Sequence, residues 1–185
     1  MTPERVPRSR GRKREADRAG NLLGAAALAI SGAADDAAGE RSQAAKAALA
    51  ILGQSPPCSI GALSKILRRS HSATVRLVEE LQADGLVRKQ AGEDRRSILV
   101  QLTGAGRREA EAILASRAKV LGDVISALAQ GERLELVRIL EKILTSLTPD
   151  REACNHICRF CHVAACPQDR CPVELAAKAE PTASA

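Results

Sequence analysis

The chain of 185 residues carries a single aromatic side chain, Phe160, and neither Trp nor Tyr. A core without aromatics must be built from Leu, Ile, Val and Ala. That composition suits close-packed helices better than a sandwich or barrel, whose pleated faces favour aromatic and β-branched residues. Long apolar runs are also missing. None approaches the roughly 18 residues needed to cross a bilayer; residues 21–30 are apolar but short, and the small residues beyond them are interrupted by Asp35 and Asp36. A basic start before an apolar stretch has the outline of a secretory leader, yet Leu22 to Ile30 continues better as an Ala-rich helix. The expectation is a cytoplasmic chain with no membrane partner. Catalytic constellations are missing too: there is no nucleophile beside a base, no Gly-rich phosphate loop and no paired carboxylates on one scaffold, so no enzyme is expected.

What is present is positive charge, helical periodicity and clustered cysteine. The net charge of +6 favours a polyanionic partner. Residues 1–20, with the run Arg8-Ser-Arg-Gly-Arg-Lys-Arg14, read as a disordered basic arm without apolar periodicity. Residues 21–148 read as one helical domain. An Ala-rich helix over about 22–32 is followed by another over Ala44 to Leu52, stopped at Gly53-Gln-Ser-Pro-Pro57. Cys58-Ser-Ile60 is a minimal strand, with Cys58 a buried filler. Gly61 to Leu67 is a short helix, Ser70-His-Ser72 a turn with a good N-cap, and Ala73 to Ala83 a second helix closed by Asp84-Gly85. Two helices joined by so short a turn form a helix-turn-helix pattern.

Beyond Gly85 the period changes. Leu86 to Gln90 and Ser97 to Leu102 are strand-like, and Ala91-Gly-Glu-Asp-Arg-Arg96 between them is a charged hairpin tip. Thr103-Gly-Ala-Gly-Arg107 caps a helix to about Leu128, and a further helix runs from Gly131 to about Leu147, ended by Pro149. Both carry apolar stripes, including Leu121, Val124, Ile125, Leu134, Val137, Leu140 and Leu147. One small domain has too little surface to bury both stripes, so a homodimer is expected. The fold class is mainly α: a winged helix-turn-helix with long dimerisation helices and a small two- or three-stranded wing sheet.

The stretch Asp94-Arg-Arg96-Ser-Ile-Leu-Val100-Gln-Leu-Thr103 fits the pattern Asp-x-Arg-x-x-x-(Val/Leu)-x-Leu-Thr and is followed by Gly106-Arg107. Ser72-Ala-Thr-Val-Arg-Leu-Val-Glu-Glu-Leu-Gln-Ala-Asp-Gly-Leu-Val-Arg88 fits a recognition helix and its turn into a wing. On these residues the chain, from about Gln43 to Leu147, resembles the MarR family of bacterial winged helix-turn-helix regulators. The resemblance implies a homodimer, more often a repressor, whose two recognition helices enter successive major grooves of a near-palindromic operator in double-stranded DNA. Ser72, Thr74, Val75 and Arg76 lie in the first turns of that helix. Arg76 would bond a guanine or a phosphate, or else pair with Glu79 or Glu80 one turn on. Arg95 and Arg96 stand at the wing tip, where a guanidinium enters a minor groove or remains a solvated charge. The resemblance makes Asp94 a brace for the wing through Arg96, and either arginine is open as the inserted one. A small-molecule effector is a further candidate partner, although an Ala- and Leu-lined pocket has no readable signature.

Residues 149–174 lie outside the usual pattern of that family. They hold five of the six cysteines, Cys154, Cys158, Cys161, Cys166 and Cys171, in a polar stretch with little to bury. Such a segment is expected to order around something bonded to sulfur. In a reducing compartment this points to metal ligands or a thiol switch sooner than to disulfides. Cys158, Cys161, Cys166 and Cys171 form the candidate set, and zinc or an iron–sulfur cluster both suit it; Cys171-Pro172 is a feature shared with ferredoxin runs. His156 or His162 could replace a thiolate, and Cys154, nearest the preceding helix, looks dispensable. Reversible thiol oxidation without metal and a functionless tail are the alternatives, and a metal-handling or electron-transfer protein is the alternative to a regulator. Residues 175–185 read as a frayed end.

Overall fold

The computed structural model describes residues 8–92, 98–163 and 166–179, with side chains from residue 11 onward. Helix α1 (Arg8–Ala37) begins inside the stretch expected to be a disordered arm. Good helix formers, among them Arg12, Lys13, Glu15, Ala16, Arg18 and Ala19, continue its pattern without a break. Its end is tied down by Lys46, a buried lysine that donates to the Asp35 carboxylate at 2.9 Å and to the Asp35 carbonyl at 2.7 Å.

Helix α2 (Gln43–Gln54) is the centre of the domain. Ser42 caps it, accepting from the Ala45 amide at 3.2 Å, and every residue from Ala45 to Leu52 is buried. Its alanines let neighbouring backbones approach closely. Around it pack α3 (Ile60–Leu67), α4 (His71–Ala83) and α5 (Gly104–Ser126), with Leu49, Leu63, Val78, Leu81 and Val100 as the largest fully buried apolar side chains. Arg41 fastens the corner by pairing with Asp84 at 2.6 Å and with Glu109.

The sheet has three antiparallel strands in the order β1 (Cys58–Ser59), β3 (Ile98–Leu102), β2 (Val87–Ala91), with Cys58 opposite Val100 and Val87 opposite Leu102. The wing therefore grows from β2 and β3, and β1 makes the sheet three-stranded. Gly85, at φ +71, turns the chain from α4 into β2, where an L side chain would be strained. Cys58 is half-buried against the core, and burial pushes its thiol pKa up.

Helix α6 (Gln130–Ser146) buries none of its residues. Leu134 is 68% exposed, Val137 53% and Leu147 59%, and α5 leaves Leu121 and Val124 similarly open. The tail folds back as α7 (Arg151–Ile157), a 3-10 turn (Cys158–Phe160) and α8 (Pro172–Ala179). This differs from the expected frayed end: α8 continues to Ala179. Val173 and Ala177, four apart on one helical face, pack with Cys154 against Leu144 of α6 and make a small second core. The tail thus has apolar surface of its own to bury.

Candidate nucleic-acid interface and cysteine centre

Helix α3 ends on Arg68, held at φ +51, while the Arg69 amide donates to the Ser64 carbonyl at 3.0 Å. The short turn then delivers Ser70, whose hydroxyl accepts from the Ala73 amide at 3.2 Å and starts α4. The helix accordingly begins at His71, two residues before the expected start. Leu77, Val78 and Leu81 face the core, while Arg68, Arg69, His71, Ser72 and Arg76 are exposed around the start of the helix. Arg76 forms none of the ion pairs found among the described residues, so the pairing with Glu79 or Glu80 is not made.

One expected contact residue is corrected. Thr74 is 0% exposed, and its hydroxyl donates back to the Ser70 carbonyl at 3.0 Å. It shares the inward stripe of Leu77, Val78 and Leu81 and cannot present its side chain to a base edge. Val75 is half-buried. Asp94, Arg95 and Arg96 lie outside the described residues, beyond the last ladder pair of Ala91 with Ile98.

The second assembly is the cysteine centre. Asp150 caps α7, accepting from the Ala153 amide at 2.6 Å. Cys154 lies on α7, Cys158 opens the 3-10 turn and Cys161 follows that turn in extended backbone. All five tail cysteines line one cavity of about 170 Å³, together with Glu174 of α8. Cys154, expected to be dispensable, is the most buried of them at 3% exposure. Arg151 places a guanidinium nitrogen 3.4 Å from its sulfur and also pairs with Glu174 at 2.6 Å.

The thiols interact. A hydrogen bond from Cys158 pushes the Cys161 pKa down to about 7, against the effect of burial and with help from the Arg117 charge. Cys158 is pushed up by that same bond, then by burial and the nearby Cys161, Cys154 and Cys171. Cys166 is pushed up by burial and by Cys171. Among the described residues, however, no three His, Cys, Asp or Glu side chains converge as a single-ion site. Neither histidine belongs to the cavity lining: His156 turns to α3, with Nδ1 2.8 Å from the Ile66 carbonyl oxygen, and His162 lines the clefts beside α5.

Two residues that the sequence did not single out hold this centre. The Gln54 side chain donates to the Cys161 carbonyl at 2.7 Å and accepts from the Val163 amide at 2.8 Å. Arg117 of α5 stacks on Phe160 with its guanidinium 4.3 Å from the ring centroid, and its Nε has no hydrogen-bond partner among the described residues. These contacts span more than a hundred or some forty residues, and no local pattern signals them.

The family model that matches describes the MarR family and covers residues 42–97, from the α2 cap to the wing. The chain carries a MarR-family winged helix-turn-helix. A MarR family protein from Bacillus stearothermophilus superimposes with a TM-score of 0.66 at 22% identity, over 74% of this chain and 97% of that one. A probable transcriptional regulator from Pseudomonas aeruginosa gives 0.54 at 27% identity, over 67% and 95%. A mutant of S. aureus MepR bound to an oligodeoxyribonucleotide gives 0.53 at 20% identity, over 69% and 96%. No curated protein matches. The MarR-type segment ends before α5, so the cysteine centre lies outside the matched residues.

Proposed function

We propose that the chain is a homodimeric transcriptional regulator that binds a near-palindromic operator in double-stranded DNA, acts in the cytoplasm and represses more often than it activates. The observation that carries this reading is the capped start of α4, where Arg76, Ser72 and His71 stand exposed near Arg68 and Arg69 while Thr74, Leu77, Val78 and Leu81 anchor the other face in the core. A helix presented this way offers its first turns to base edges and its flanking guanidinium groups to phosphates. A MepR mutant of similar fold is bound to an oligodeoxyribonucleotide, and DNA binding is the property we carry over to this chain. Arg95 and Arg96 would add a minor-groove contact from the wing, with Asp94 as brace. The apolar faces of α5 and α6 would close against a second copy, and no catalytic role is assigned. A small-molecule effector fits the open cleft of about 340 Å³ between Gln54, Arg107 and His162.

The cysteine centre is read as the signal-receiving part, holding zinc or an iron–sulfur cluster. The residues present fit such a group: five soft sulfur donors surround one cavity, with Arg151 at its rim to offset thiolate charge. Once bound, the group would supply a charged cross-link between α7 and α8. A loaded tail would alter DNA affinity only by favouring one arrangement of the helix-turn-helix over another. The test is selection of bound duplexes from a random pool by the full chain. Recovery of a two-fold symmetric site supports the reading, and a pool that stays random after repeated rounds contradicts it.

A further inference from the structure

A zinc ion held by four thiolates sits about 2.3 Å from each sulfur, so its ligands must close on a point and lie within about 4 Å of one another. The cysteine centre has a different form. All five sulfur-bearing residues line one cavity of about 170 Å³, and among the described residues no three of them converge as a single-ion site. Cys154 lies on α7, Cys158 opens the 3-10 turn that follows, and Cys161 stands just beyond that turn in extended backbone. Cys171 stands at the start of α8, its carbonyl already accepting from the Leu175 amide at 2.9 Å. Its charge acts directly on Cys158 across the cavity. Val173 and Ala177 form an apolar cluster with Cys154, against which Leu144, Cys158 and Cys171 pack. Arg151 contacts the Cys154 sulfur but is also paired with Glu174, whose carboxylate lies 3.7 Å from that sulfur, and the Arg117 charge acts on Cys161.

We propose that this chamber takes a polynuclear iron–sulfur cluster, ligated by Cys154, Cys158, Cys161 and Cys171, with Cys166 the spare thiol. The proposal rests on the tail being the cofactor-binding part of the regulator, and it replaces Cys166 by Cys154 in the ligand set that the sequence favoured. A cluster fills a chamber that a lone ion would leave largely empty, and its irons lie apart, so their ligands need not converge. Each ligating thiol gives its proton to solvent as its sulfur–iron bond forms. Cys154 is buried, so its ligand bond is shielded, while exposed Cys161 leaves the cluster within reach of small oxidants.

The experiment uses the full chain, stripped and then treated without oxygen with a ferric salt, sulfide and dithiothreitol. Parallel samples receive zinc sulfate alone. The expected product has visible charge-transfer absorption and roughly two to four irons per chain, with sulfide in equal number. Cys154→Ser, an exchange of one atom in a packed site, should lose nearly all of that iron and sulfide while keeping its helical circular dichroism. Cys166→Ser and Cys58→Ser should retain them. One tightly held zinc per chain, with no sulfide-containing product, would overturn the cluster. Full iron and sulfide in folded Cys154→Ser, or their loss in folded Cys166→Ser, would overturn the ligand set. Should Cys154→Ser lose its helical signal, Cys171→Ser and Cys166→Ser decide between the two sets, since only the first should lose the cluster. None of these readings involves DNA, so a failed cluster leaves operator binding standing, and a failed operator leaves the cluster standing.

Discussion

His156 Nδ1 lies 2.8 Å from the carbonyl oxygen of Ile66, ninety residues away in the chain. Ile66 belongs to the last turn of α3, where carbonyls lack partners within the helix. The histidine therefore finishes the helix that precedes α4, and it does so from α7, two residues along from Cys154. This contact links the cysteine-bearing α7 directly to α3. His156→Ala should lower unfolding free energy by roughly 0.5–1.5 kcal/mol, the usual worth of one hydrogen bond. It should also shrink any difference in duplex affinity between tail-loaded and tail-stripped protein. Urea titration and fluorescence anisotropy measure the two effects, and an unaltered affinity difference would remove His156 from the route.

Thr103 and Gly106 lock the wing to α5. The Thr103 hydroxyl accepts from the Gly106 amide at 3.1 Å and donates to the Gly85 carbonyl at 2.7 Å. A Cβ at Gly106 would stand 2.0 Å from the Leu86 carbonyl oxygen, and backbone cannot yield as a side-chain tip would. Gly106→Ala is expected to destabilise the domain by about 1–3 kcal/mol, the range for overpacking, or more if the strand is displaced. A denaturant midpoint equal to wild type would show that this approach is not tight in solution.

Val137 and Leu140 lie on α6 at 53% and 39% exposure, on a helix that packs inward through Leu144 against the second core. Val137→Asp combined with Leu140→Asp should turn a dimer into a monomer at micromolar concentration, because two carboxylates would have to be desolvated in the joined surface. Sedimentation velocity reads this directly. A double variant that remains dimeric would place the interface elsewhere.

Much of this architecture is legible in the chain because its signals are local. Ser70 and Thr103 are N-caps three residues ahead of the amides they serve, and the apolar stripes mark each helix. Thr74 was misplaced at the interface for want of one step. It sits three and four residues before Leu77 and Val78, so the stripe that names the buried face already includes it. What the pattern does not carry is the docking of the tail, since Gln54 with Cys161 and His156 with Ile66 join residues 107 and 90 apart. The second core was hidden because Val173 and Ala177 are a pair, too few to make a periodic signal by themselves.

Replacing Thr74 by Val tests that correction. A buried hydroxyl bonded to its own turn contributes to the start of α4 and not to recognition, so Thr74→Val should cost about 1 kcal/mol of stability, the worth of that hydrogen bond. It should leave operator preference unchanged at temperatures where the variant is folded. A shift in the preferred site, read by repeating the duplex selection, would return Thr74 to the interface.

Operator affinity as a function of salt tests the central claim, that exposed α4 reads DNA, most directly. Wild-type protein and Arg76→Ala should both lose affinity linearly on a log–log plot as phosphate counterions are reclaimed. Arg76→Ala should bind the selected operator more weakly by roughly 1–3 kcal/mol. If its guanidinium contacts a base, the random duplex should be bound nearly as before; if it contacts a phosphate, both should weaken alike and the slope should fall by about one. Identical affinities and slopes for wild type and Arg76→Ala, on both duplexes, would contradict the account.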